Sequence, residues 1–300
     1  MAKDLDIFIL KNENSVSDLN INRLVSISDK VKSVHEPCLD SIKRQVRELE
    51  INAEVQLIEA GEVPRDVDSR LVIILDQNAL IPRQYLLSAV SMNNMYKSKA
   101  VFCGPVSTKS SSKPNDWFIA EVAEHYKTYT LNEFNKVLAF DITEEPNLFP
   151  PATSCVISGR FYNEVGGYTT LVSPRGDIKN NSMFLLELSK IGSIIYTKSL
   201  ETSYYVSPAE FEISNFSKFF YQLGYSRGVN MFKSKEDQYE TLWKMFVESP
   251  ESIDNRTLSF INFNTEIDAD HKKKYAEKLA TFKCLYQIGM FEGINGQKIL

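Results

Sequence analysis

Residues 71–75 read Leu-Val-Ile-Ile-Leu and stop at Asp76-Gln77-Asn78. Successive side chains of a strand point to opposite faces, so a continuous aliphatic run needs apolar cover on both sides. That is the situation of a strand inside a parallel sheet with helices above and below. The run therefore predicts a central strand with parallel neighbours and Asp76 at its carboxyl end. Ligands of open α/β sheets bind beyond the carboxyl ends of the strands, so Asp76 marks where chemistry should be sought.

The surrounding pattern agrees with an α/β chain. Residues 5–10 read as a buried strand. Residues 40–49 follow as a helix with Ile42, Val46 and Leu49 on one face, and 54–58 as a second strand. After residues 71–75, Pro82 opens a helix carrying Tyr85, Leu86, Ala89 and Val90, and residues 100–103 form another strand stopped by Gly104-Pro105. Residues 107–115, rich in serine, read as loop. Strands follow at 154–157, 194–196 and 204–206. Phe216, Phe219, Phe220 and Leu223 mark an amphipathic helix, and Tyr275, Leu279, Phe282, Leu285 and Tyr286 mark a helical end to the chain. Strand, helix and strand in alternation argue for one α/β domain over residues 1–230, with 231–300 as a helical extension packed on it.

Composition removes several classes. With 43% hydrophobic and 24% charged residues in 300, the chain has the makeup of a folded soluble protein rather than a disordered one. Its net charge of −5 and the lack of a basic patch argue against nucleic acid as partner. Cys38, Cys103, Cys155 and Cys284 form no CxxC pair, which points to reduced core thiols and a cytoplasmic, reducing compartment. No apolar run approaches the roughly 18 residues of a membrane span, and the short run at 5–10 is no secretory signal. His35, His125 and His271 share no metal-ligand spacing.

Three blocks in order carry a resemblance to a known family. The first is the aliphatic strand ending in Asp76-Gln77-Asn78, then a proline-led helix, then Val101-Phe102-Cys103-Gly104-Pro105. The second is Ser158-Gly159-Arg160-Phe161-Tyr162-Asn163-Glu164-Val165-Gly166-Gly167-Tyr168, followed by a helix at 182–190, Gly192 and Ile194-Ile195-Tyr196. The third is Phe219-Phe220-Tyr221-Gln222-Leu223-Gly224-Tyr225-Ser226-Arg227-Gly228. Over residues 54–230 this resembles the family-2 glycosyltransferases. The resemblance implies a GT-A-like α/β fold: a mainly parallel mixed sheet with helices on both faces and a helical C-terminal region. It also implies a nucleotide-diphosphate sugar as donor and Mn or Mg held by an Asp-x-Asp motif at Asp76 and Asn78. Gly166 and Gly167 would lie under the substrate, and Arg227 would face a phosphate.

The departures bear on activity. The second carboxylate of the metal motif is Asn78 here, and an amide oxygen is a weaker ligand than a carboxylate for a hard cation. The family's Glu-Asp pair, whose Asp takes the acceptor proton, falls on Asn180-Asn181, and an amide cannot be that base. Asp177, four residues upstream, is the nearest carboxylate that would replace it. The strand at 54–58 runs into Glu59-Ala60-Gly61-Glu62 where the family has acidic contacts to uracil and ribose, and the stretch to Asp76 is short. Each feature also has a plain structural role: Asp76 as a turn cap, Gly166-Gly167 as a tight turn, Asp177 as a solvated loop carboxylate.

Two readings follow. In the first, the chain is a catalytically degenerate glycosyltransferase homologue that binds a glycan, a nucleotide or a protein partner as an accessory subunit, with self-association open. In the alternative it is an active inverting glycosyltransferase, with Asp76 on the metal and Asp177 as base.

Overall fold

The computed structural model describes residues 4–11, 25–26, 35–96, 100–110, 139–144, 154–168, 171–173, 176–178, 183–205, 221–222, 224–225, 228–229, 288–289 and 292–293. The elements are β1 (Leu5–Leu10), β2 (Val25–Ser26), β3 (His35–Pro37), α1 (Cys38–Glu48), β4 (Ala53–Ile58), β5 (Leu71–Asp76), β6 (Ala79–Pro82), α2 (Tyr85–Met95), β7 (Ala100–Cys103), β8 (Val106–Ser110), β9 (Ala139–Asp141), β10 (Ser154–Ser158), α3 (Gly159–Glu164), β11 (Leu171–Ser173), β12 (Gly176–Ile178), α4 (Met183–Ser189), β13 (Ser193–Thr197) and β14 (Thr202–Tyr205). Two compact units share the chain. The first comprises Met1–Lys113, Tyr126–Thr170 and Ser182–Ser207; the second comprises Pro114–His125, Leu171–Asn181 and Pro208–Leu300.

The first unit is built on a seven-stranded mixed sheet in the order β4-β1-β5-β10-β7-β13-β9. β4, β1, β5, β7 and β13 run one way, and β10 and β9 run against them. This is the mainly parallel α/β architecture expected from the aliphatic strand. One detail differs: β5 has a parallel neighbour in β1 but an antiparallel one in β10, with Ser154 opposite Leu75. The chain returns to the centre of the sheet from the far side, a path that local patterning does not encode.

All six residues of β5 are buried. One face, through Leu71, Ile73 and Leu75, joins Leu5, Ile7, Ile9, Val156 and Phe102 with Cys38 and Ile42 of α1 and Tyr85, Leu86 and Ala89 of α2. Alternation puts Val72, Ile74 and Asp76 on the other face. α3 packs against β5 and β10, and α4 packs against β13. Burying five aliphatic side chains is worth on the order of 10 kcal/mol before chain entropy is charged against it.

A smaller five-stranded sheet, β2-β8-β14-β6-β3, follows the carboxyl end of β5. Two sequence expectations are corrected here. Pro82 does not open α2; it ends β6, opposite His35 on the edge strand β3, and α2 begins at Tyr85. Proline lacks the N–H of a ladder donor, which suits a strand end. Residues 106–110 are not loop either, because β8 pairs in parallel with β14. A serine-rich run takes the strand conformation when a neighbouring edge supplies its hydrogen bonds.

α1 buries Ile42 and packs Val46 on the core as expected, but not Leu49. Its buried residues are Cys38, Ser41, Ile42 and Gln45, whereas Leu49 follows the helix and is 39% exposed. Gln45 is buried because it bridges two elements. Its Nε2 donates to the Pro82 carbonyl (3.0 Å) and to Ser41 Oγ (2.9 Å), and its Oε1 accepts from Leu86 N (2.8 Å) in the first turn of α2. Those first-turn N–H groups have no partner within their own helix.

In the second unit, β11 and β12 form a two-stranded antiparallel ribbon. Separately, Gly289 and Gly293 stand one helical turn apart against Tyr221 and Tyr225. A Cβ at Gly289 would lie 2.1 Å from the Tyr221 carbonyl oxygen, and one at Gly293 would lie 2.3 Å from that of Tyr225. Only glycine allows this approach of one backbone to another. Tyr221 Oη donates to Glu292 Oε2 at 2.5 Å. The expected helix at residues 275–286 lies outside the described residues. Among the described residues no helix is long and apolar enough to cross a membrane.

Replacing Gln45 with leucine should strand the Leu86 N–H and the Pro82 carbonyl inside the protein. A loss of about 1–3 kcal/mol per orphaned group is expected. Urea unfolding should show it as a lower midpoint with an unchanged slope, and an unchanged midpoint would show that the bridge is dispensable.

Candidate functional site

The chain reaches the carboxyl edge of the large sheet at Asp76 and turns immediately. Asp76 is 5% exposed, and its Oδ1 accepts from the backbone N–H of Asn78 at 2.7 Å. This is an aspartate turn, in which the side chain closes the loop that links β5 to β6. Asn78 is held from the other side as well, because its carbonyl accepts from Tyr205 N at 2.9 Å. Its side chain is equally buried, and Nδ2 has no acceptor among the described residues.

The turn offers one carboxylate and one amide where the resembled motif has two carboxylates. The one carboxylate present is engaged by a backbone N–H, and the residue two positions on offers an amide in place of a second anionic oxygen. Among the described residues no group of three or more His, Cys, Asp or Glu is placed to hold a metal. Hard cations require several oxygen ligands, anionic ones above all.

Gly166 and Gly167 end α3, with φ of +79° and +86°. Gly167 N donates to the Tyr162 carbonyl at 3.1 Å and Gly166 N to that of Asn163 at 3.0 Å, which reverses the chain after the helix. Their surroundings differ. A Cβ at Gly166 would meet nothing, whereas one at Gly167 would lie 2.5 Å from the Cα of Arg65. The next residue, Tyr168, packs its ring on Phe184 of α4. Burial pushes its hydroxyl pKa upward, and Cys155 and then Asp76 add to that rise.

Arg65 belongs to the connection from β4 to β5, which crosses the sheet with one 3-10 turn, Ala60–Glu62, and otherwise without a helix. α3 and the turn after it hold this segment. Asn163 donates to the Val67 carbonyl (2.8 Å) and accepts from Val67 N (2.9 Å), and Tyr162 Oη donates to the Pro64 carbonyl (2.5 Å). Gly159 allows the start of α3 to lie on the Ser69 carbonyl. Burial pushes the Tyr162 hydroxyl up to about 12, so it stays a donor at any physiological pH.

Asp177 stands in β12, opposite Val172, in the second unit. Arg227, Asn180 and Asn181 lie outside the described residues. Cys38, Cys103 and Cys155 form no disulfide and are buried; burial pushes the Cys155 thiol up to about 12 and the other two upward as well. These are inert core thiols.

The sequence reading passed over Glu201. It follows the 3-10 turn after β13 and immediately precedes β14, at the same edge of the sheet as Asp76. Gly104, which ends β7, lies so close to this segment that a Cβ would come within 2.2 Å of the Leu200 carbonyl oxygen and 2.9 Å of Glu201 N. Thr202 N donates to the Pro105 carbonyl at 2.8 Å. Burial raises the Glu201 pKa, and Lys198 and Lys109 oppose the rise. Its Oε1 is buried and accepts no hydrogen bond among the described residues. No spacing rule marks this residue, because a lone glutamate between a turn and a strand looks like any solvated carboxylate.

No family model matches the sequence, and no curated protein matches it. Among solved structures the chain is similar to S. aureus TarS 1-349, at 13% identity and a TM-score of 0.34, covering 98% of this chain and 88% of that one. The same protein in complex with UDP-GlcNAc gives 13%, 0.35, 100% and 92%, and a further S. aureus TarS structure gives 12%, 0.38, 96% and 55%. Similarity this remote assigns no activity, and the function must be argued from the residues.

The two glycines should separate by mutation. Gly166→Ala meets only the left-handed backbone penalty of about 1–2 kcal/mol, whereas Gly167→Ala adds a clash with the Arg65 backbone and should cost several-fold more. Equal urea midpoints for the two variants would show that the Arg65 contact is not maintained in solution.

Glu201 makes a pH-dependent contribution. Its folded pKa is raised, so its contribution to stability is greatest below the ordinary glutamate value and is lost as pH rises through the raised one. Glu201→Gln, which cannot ionise, should therefore gain in melting temperature relative to the wild type as pH rises from 4 to 8. Parallel pH profiles for the two proteins would contradict the desolvation of this carboxylate.

Proposed function

We propose that the protein is a glycosyltransferase-like, GT-A-type binding protein with a degenerate metal motif, acting as an accessory subunit that engages a nucleotide sugar, a glycan or a protein partner. The observation that carries this reading is the turn at Asp76. The carboxylate at the tip of the central strand closes its own turn, and its neighbour in the motif is the buried amide of Asn78. The strand order supports a ligand at this edge: five strands point their carboxyl ends the same way, and the Asp76 turn lies among them. The acceptor-side base of the resembled family falls on Asn180-Asn181, two amides that take no proton from a hydroxyl.

Under this reading Gly166 and Gly167 shape the floor of the site, and Asp76 and Asn78 shape its diphosphate end. None of these groups transfers a proton. Uridine diphosphate and UDP-N-acetylglucosamine are the donor-class probes.

Calorimetry should find that these probes bind weakly and that manganese does not strengthen the binding. Asn78→Asp should introduce a manganese dependence by restoring the second carboxylate. Donor turnover should be undetectable in both the wild type and Asp177→Asn. Turnover in the wild type that Asp177→Asn lowers about 10²- to 10⁴-fold, the usual cost of removing a general base, would establish the enzyme instead.

A further inference from the structure

We propose that Glu201 is a sugar-binding residue, whose buried carboxylate oxygen accepts hydrogen bonds from the hydroxyls of a ligand seated at the carboxyl edge of the large sheet. This rests on the nucleotide-sugar reading above and extends it to a residue outside the family motifs.

β5 and β7 are separated by one strand, β10, so their ends lie about 10 Å apart at two strand spacings. Asp76 closes the turn at the end of β5, and Gly104-Pro105 ends β7 with Leu200, Glu201 and Thr202 lying directly on it. β14 then runs from Thr202, the residue after Glu201, to Tyr205, whose N–H is bonded to the Asn78 carbonyl. Glu201 and Asn78 thus stand near opposite ends of one short strand at the face where ligands of such sheets collect.

Two polar atoms here are buried and lack a partner among the described residues: the Asn78 amide nitrogen, a donor, and Glu201 Oε1, an acceptor. A buried charged acceptor without a donor is costly, more so than a neutral one. Lys198 and Lys109 are close enough to oppose the rise that burial causes. Lys109 is itself desolvated, which lowers its pKa. The two open groups are complementary to a ligand with an oxygen acceptor at one end and hydroxyl donors at the other. A nucleotide sugar has this arrangement: its phosphate oxygens would face Asn78 and its sugar hydroxyls would face Glu201.

The test compares two probes on wild type and Glu201→Gln, with Glu201→Ala as a second variant and circular dichroism to confirm that each is folded. Uridine diphosphate lacks the sugar, and UDP-N-acetylglucosamine has it. Ligand-observed NMR titration should give the wild type a higher affinity for the sugar nucleotide than for the diphosphate. Both variants should lose about tenfold or more for the sugar nucleotide, the scale of a hydrogen bond to a charged group, and leave uridine diphosphate unchanged. Equal loss for both probes, or no loss for either, would overturn the role of Glu201 while leaving the binding reading intact. A wild type that binds neither probe would refute the nucleotide-sugar part of that reading and this proposal together.

Discussion

The structure depends on β5 being covered on both faces. Every residue from Leu71 to Asp76 is buried, so the strand requires helices on one side of the sheet and a second packed layer on the other. That requirement places α1 and α2 over Ile73 and Leu75, and it brings the aromatic group of Tyr162, Tyr168 and Phe184 to the α3–α4 side. The strand can then end in a buried polar turn, because Asp76 and the Asn78 N–H satisfy each other. A strand covered on one face only would leave this carboxylate in water, with no reason to fix the turn.

The connection from β4 to β5 shows how the same layer handles a segment with few apolar residues of its own. Residues 59–70 have no long helix to satisfy their backbone, so α3 does it for them, through Asn163 on Val67, Tyr162 on Pro64 and two glycines that allow close approach. The glycine turn of the family resemblance therefore has a structural occupation of its own. It fixes the crossover leading into β5, and through β5 it fixes the edge where Asp76 and Glu201 stand.

Buried polar groups recur at the joints between layers, and most have their partners. Gln45 links α1 to the start of α2, and Thr143 Oγ1 accepts from Ile194 N. At the carboxyl edge, by contrast, one buried side-chain atom on Asn78 and one on Glu201 have no hydrogen-bond partner among the described residues.

The amino-acid sequence alone determined the class of fold and the position of the centre. The run at residues 71–75 admits no half-exposed strand, and the strands at 5–10, 54–58 and 100–103 were legible from their apolar content. Charge chemistry was legible too: Asn78 and Asn180-Asn181 are amides wherever the chain places them. Tertiary structure decided what depends on partners distant in sequence. β10 enters antiparallel because of a chain path, Pro82 ends a strand because β3 and β14 pair with β6, and the serines of β8 form a strand because β14 offers a ladder. Gln45 is buried because Pro82 and Leu86 meet it, which no helical spacing announces. Glu201 is set apart by a buried carboxylate oxygen that accepts no hydrogen bond among the described residues. That is a property of its surroundings, fixed only when the ends of β7, β13 and β14 come together.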